Sequence, residues 1–210
     1  MSRRSRSIAI FLCLAALSTQ TWAAPQFFTN QSSFSATISG GMSFTTNLNF
    51  PAGQAINSPA VFAGNGLSVQ AVSTNAGAYS LYSFGNSLTV TEEGFGFLFT
   101  NFSANAFAFG GLFFNLDTEG NFASGNMVFE ALFADFSSLT TNVPSGSEES
   151  FFGFIGPTNL LSLSVSGQGG LPAASQLTIG SPVPEPSAIA LLLLSSAALV
   201  GYAASRRWAR

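Results

Sequence analysis

The 210-residue sequence has no lysine and no histidine, and its one cysteine is Cys13. Its six basic residues are Arg3, Arg4, Arg6, Arg206, Arg207 and Arg210, all near the two ends. The stretch between them, Pro25 to Ser181, has no basic side chain, no imidazole and no thiol. It carries eight acids: Glu92, Glu93, Asp117, Glu119, Glu130, Asp135, Glu148 and Glu149. Its net charge is therefore near −8, which the whole-chain value of −3 conceals.

These absences exclude several kinds of chemistry. Nucleic-acid binding needs Lys or Arg against phosphate. A Ser-His-Asp or Cys-His catalytic set needs an imidazole. Zinc sites rely in most cases on His or Cys, and nucleotide-phosphate cradles on Lys or Arg. No disulfide framework can form, so stability must come from packing. About 157 residues suffice for one sizeable core.

Residues 1–23 read as a secretory signal peptide with a helical apolar segment. Arg3, Arg4 and Arg6 form the basic start, and Ile8 to Leu17 form an apolar run too short to span a bilayer comfortably. Thr21-Trp22-Ala23 places small residues at −3 and −1, which predicts cleavage after Ala23; an uncleaved anchor is the alternative.

The other end is more specific. Val183-Pro184-Glu185-Pro186-Ser187 leads into Ser187 to Ala204, 18 residues without a charge. As an α-helix, 187–204 spans roughly 27 Å, close to a ~30 Å hydrocarbon core. Pro184 and Pro186 stop helix from growing back toward the middle of the chain. Arg206, Arg207 and Arg210 resist translocation, which predicts a cytoplasmic C-terminus and an exported remainder. The competing reading is a C-terminal helix packed on the domain, and its uniform apolarity argues against that.

The middle, 24–181, holds 22 of the chain's 23 phenylalanines and is rich in Ser, Thr, Asn and Gly. Period-two alternation appears in Leu161 to Ser166, in Met127/Phe129/Ala131/Phe133 with Glu130 on the opposite face, and in Leu67/Val69/Ala71. Phe95, Phe97 and Phe99 share one face, as do Phe107 and Phe109. Turn signals separate these runs, among them Gly40-Gly41, Gly64-Asn65-Gly66, Gly85-Asn86, Gly110-Gly111, Glu119-Gly120-Asn121 and Gly167 to Gly170. The pattern predicts an all-β fold, an antiparallel β-sandwich of jelly-roll type, flanked by the signal helix and a C-terminal transmembrane helix. No internal repeat has a fixed period.

The three-part tail (Val-Pro-Glu-Pro-Ser, apolar helix, Arg cluster) resembles the PEP-CTERM sorting signal over 182–210. That resemblance implies an exosortase in the inner membrane as partner, cleaving near the Pro-Glu-Pro motif, after export by the general secretion machinery. The middle resembles the β domain common in such proteins, over about 80 residues: Ser87 to Thr91, Ala106 to Phe114, Phe151 to Ile155 and Leu160 to Val165. Where such domains often carry an Asp-Asn pair in the last strand, this chain has Ser175-Gln176.

The Phe stripes read as core, with Phe102 and Phe122 as candidates for exposed sugar-stacking platforms. One of Phe113/Phe114 and one of Phe151/Phe152 is expected to face outward or to cover a sheet edge, since neighbours on a strand point to opposite sides. Asp117 and Glu119, with Asn115 and Asn121 nearby, offer loop oxygens that suit calcium, the one cofactor considered. Their spacing falls short of an EF-hand, and the competing reading is a pair of solvated turn acids. Glu148-Glu149 reads as a solvated pair.

The expectation is a non-enzymatic surface or extracellular-matrix protein associated with exopolysaccharide or biofilm. It would pass through an inner-membrane-anchored precursor to the envelope or matrix, with no nucleic-acid partner. A carbohydrate-binding module with a specific glycan site is the alternative. More remote is a glycoside hydrolase using Glu92/Glu93 and Glu130, which would need two facing carboxylates ~5–10 Å apart.

Overall fold

Short runs of Phe, Leu and Val alternating with Ser and Thr can bury one face of a strand, and the Gly- and Asn-rich joints between them reverse the chain. The computed structural model describes residues 24–181 except 49, 52, 75–80 and 146–147. Ala23–Val183 form one compact unit. The strands are β1 (Gln26–Phe28), β2 (Ser43–Asn47), β3 (Ala55–Ile56), β4 (Ala60–Gly64) and β5 (Leu67–Ser73). They continue with β6 (Leu81–Phe84), β7 (Ser87–Val90), β8 (Gly96–Thr100), β9 (Ala108–Leu116) and β10 (Phe122–Ala123). The last five are β11 (Gly125–Phe133), β12 (Ser138–Ser145), β13 (Ser150–Ile155), β14 (Leu160–Gln168) and β15 (Leu171–Gly180). Among the described residues one helix, α1 (Gln31–Ile38), lies between β1 and β2.

The strands make two sheets with antiparallel pairings. The larger runs β1-β13-β9-β15-β7-β6-β3, with β10 on β9 and β2 on β15. The smaller runs β12-β11-β14-β8-β5-β4. Their inner faces share one core. Phe129 of β11 is fully buried, with its ring 5.3 Å from Phe113 of β9, 4.9 Å from Phe152 and 5.8 Å from Phe154 of β13. Phe99 of β8 meets Phe109 of β9 at 4.8 Å. Phenylalanine-to-phenylalanine contact thus forms the seam between the sheets.

Three sequence expectations change here. Phe113, Phe114, Phe151 and Phe152 are all buried, so the one of each pair that points away from the seam is covered and does not face solvent. The outer face of the larger sheet is covered as well. The covering helix α1 begins at Asn30, whose side chain accepts a hydrogen bond from the Ser33 N–H at 3.0 Å, a cap worth about 1 kcal/mol. Four-residue spacing then puts Phe34 and Ile38 on one side; both are buried, and the Phe34 ring packs 5.3 Å from Phe151. Phe114 is covered from another direction, by Phe122 of β10 at 5.1 Å.

Gly110-Gly111 is not a turn but the middle of β9. A Cβ on Gly111 would lie 2.3 Å from the Gln176 carbonyl oxygen, so glycine there permits the close approach of β15. Leu161, expected inward, is 39% exposed. The register shifts so that Leu132 pairs with Ser162 and Phe133 with Leu160, and Leu161 is the extra residue of a bulge.

Among the described residues no helix is long and apolar enough to cross a membrane. The signal helix 1–23 and the transmembrane helix 187–204 lie outside the described residues.

Candidate functional site

The sorting residues Val183, Pro184, Glu185, Pro186 and Ser187, the arginines Arg206, Arg207 and Arg210, and the cleavage residue Ala23 all lie outside the described residues. Three places on the β unit can be examined directly.

The first is the turn that follows β9. The Asp117 carboxylate accepts hydrogen bonds from the Glu119 N–H (2.9 Å), the Asn121 N–H (2.8 Å) and the Asn121 side-chain amide (3.2 Å). These donors, the Asn121 N–H foremost, hold its carboxyl below the usual range. The carboxylate therefore serves to tie its own loop. Glu119 is exposed, and among the described residues no three acidic side chains converge on a metal-sized space. Asn115, expected beside this turn, is instead fully buried in β9, and its backbone N–H donates to the Ser145 hydroxyl at 3.0 Å. The Phe84 ring lies over Gly120, where a Cβ would overlap it, and Gly120 has φ +86°. Phe122 is 47% exposed, as expected of a platform. Phe102 is not: it packs edge-on against Phe109 at 5.5 Å, partly buried.

The second comprises the acids considered for glycoside hydrolysis. Glu92 and Glu93 lie in the connection between β7 and β8, and Glu130 sits mid-strand on the exposed side of β11, opposite Thr140 and Ser164.

The third was not singled out in the sequence. A cleft of about 330 Å³ opens where β15 is irregular. Ala174 pairs with Phe113 and Gln176 with Leu112, so Ser175 is an extra residue. Its carbonyl accepts the Leu48 N–H at 2.8 Å, and its hydroxyl is buried with no hydrogen-bond partner among the described residues. The Gln176 side chain donates to Asn47 Oδ1 at 2.9 Å and accepts from Gln31 Nε2 at 2.8 Å. Asn86, from the turn between β6 and β7, and Glu149, from the approach to β13, complete the polar wall. Leu48 and Leu112 supply the apolar part. The one sequence signal was Ser175-Gln176 standing where an Asp-Asn pair is common. Glu149 is exposed, as expected, but also borders this cleft.

In comparison with known proteins, residues 182–207 match the PEP-CTERM protein-sorting motif. No curated protein matches the chain. The chain therefore carries a PEP-CTERM sorting signal, which marks an exported protein recognised by an exosortase, a membrane protease.

Proposed function

We propose that this is a non-enzymatic protein of the cell envelope or extracellular matrix, delivered by its tail and associated with exopolysaccharide through its β unit. The sorting motif over residues 182–207 carries the reading. The general secretion machinery takes the chain across the inner membrane, and residues 1–23 are removed after Ala23. The helix 187–204 then holds the precursor in the bilayer, with Arg206, Arg207 and Arg210 on the cytoplasmic side. Glu185 stands between two prolines, which favour an extended backbone and disfavour helix. A peptidase therefore meets an open strand just outside the membrane.

The β unit suits a hydrated polymer. It has no basic group, and seven of its eight acids are exposed, which favours hydration. Strand β12 presents Ser138, Thr140 and Asn142 to solvent on alternate positions, a hydroxyl- and amide-bearing face open to polysaccharide or to glycosylation. Divalent cations could bridge its acids to an acidic polymer.

The test is processing in cells. Glu185→Ala, or deletion of the partner peptidase, should leave a longer, membrane-bound precursor on immunoblots of fractionated cells. Normal release in both strains would refute the reading.

A further inference from the structure

The β-bulge at Ser175 builds a polar cleft whose chemistry narrows its ligand. The size comes first. About 330 Å³ lies at the lower end of small-molecule sites, which suits one sugar ring rather than a nucleotide or a folded peptide.

The charge comes next. No Lys, Arg or His occurs between residues 24 and 181, so nothing on this unit neutralises a phosphate or a carboxylate ligand. Glu149 at the rim repels both. It is also the one carboxylate on the cleft wall among the described residues, too little negative charge for a calcium site of about 6–8 oxygens.

What remains is a wall of amides. Asn47, Asn86 and Gln176 each present both donors and acceptors. Among the described residues, Gln176 has one N–H and one lone pair left after its bonds to Asn47 and Gln31, and Asn47 has its NH₂ group left. Those bonds also help to hold the Gln176 and Asn47 amides before any ligand arrives, which lowers the entropic cost of binding. Leu48 and Leu112 provide apolar surface for the C–H face of a ring. A ligand that matches is uncharged, carries alternating hydroxyls and has one apolar face.

We infer that this cleft is a subsite for a single neutral pyranose unit of a polysaccharide. The inference rests on the proposed residence in an exopolysaccharide matrix and adds the place and the chemical class of contact. The bulge is what makes it: the extra residue reverses the inside–outside alternation along β15 and sets Gln176 beside Leu112.

The experiment uses the full chain in a sugar-free zwitterionic detergent, with ¹⁵N-labelled side-chain amides followed by NMR. Glucose, galactose, mannose and N-acetylglucosamine are titrated, with glucuronate as the anionic probe. At least one neutral sugar should shift the Asn47, Asn86 and Gln176 amide signals saturably in the millimolar range. Asn47→Ala and Asn86→Ala should each raise that Kd roughly three- to tenfold, the worth of one net hydrogen bond. Circular dichroism melts confirm that each variant is folded. Asn86→Ala, at an exposed turn, keeps the test open if Asn47→Ala unfolds. Val61→Ala, at an exposed position of β4, should leave binding unchanged.

Three results would overturn the inference. One is no shift with any neutral sugar up to about 50 mM, well past a millimolar Kd. Another is glucuronate binding as tightly as glucose. The third is binding lost in Val61→Ala but unmoved by both asparagine variants. Tail processing is read in cell fractions without added sugar, so either proposal can fail while the other stands.

Discussion

Phe129→Ala should be among the most damaging single changes in the β unit. The ring is fully buried on β11 and reaches Phe113, Phe152 and Phe154 across the seam between the sheets. Truncation removes the six ring carbons where neighbours on two other strands must then close the gap. The larger sheet holds those neighbours by backbone bonding: Phe113 pairs with Ser150 and Phe154 with Phe109. The hole will therefore persist. Phe-to-Ala losses in cores of this kind run about 3–5 kcal/mol, and three ring contacts put this one near the upper half, about 4 kcal/mol. For a unit of this size, each kcal/mol moves the melting point by roughly 2–4 °C, so a drop of about 8–16 °C is expected. Far-UV circular dichroism in urea is the suitable assay, because both tryptophans, Trp22 and Trp208, lie outside the β unit. A loss below about 1.5 kcal/mol, with the urea slope unchanged, would refute the claim that this ring joins the sheets.

Two further outcomes follow from local geometry. Phe136 is 82% exposed with φ +62°, a left-handed conformation that suits glycine. Phe136→Gly should therefore leave stability unchanged or raise it by up to about 1 kcal/mol in the same urea assay, and a clear loss would show that the ring is used. The Asp117 carboxyl, held down chiefly by the Asn121 N–H, stabilises its turn fully above the unfolded pKa of 3.8, and that contribution is lost as pH falls through the lower folded value. NMR titration should place its pKa below 3.8, and Asp117→Asn should make stability less sensitive to acid in that window; an unshifted carboxyl would contradict the hydrogen-bonded turn.

Sequence reading succeeded where one strand face is wet. Met127, Phe129, Ala131 and Phe133 alternate inward as expected, and Glu130 points out. It failed where both faces are dry. A strand such as β9, buried on both sides, shows no alternation, so Phe113 and Phe114 looked like one inward and one outward residue. Nothing local to Phe151 reveals that a helix more than a hundred residues earlier covers it, although Asn30 followed by Phe34 and Ile38 was a readable helix start. Gly110-Gly111 carries the same two letters as a turn, and only the partner strand tells close approach from reversal. The cleft was hidden for a related reason. Asn47, Asn86, Glu149 and Gln176 come from four separate segments, and the bulge that joins them depends on pairing rather than on composition.

The position of β15 has a consequence for how the molecule is made and loaded. It is the last strand before the sorting tail, yet it lies between β9 and β7 and also holds β2. On the proposed export route, N-terminus first, the larger sheet would stay incomplete until those final ten residues have crossed, which would keep the chain threadable and delay the slow long-range closure. In the proposed precursor, a tether at the C-terminus would act on a strand that is paired on both sides. Loaded along its length, such a strand resists in shear through many bonds at once, where an edge strand would peel away one bond at a time.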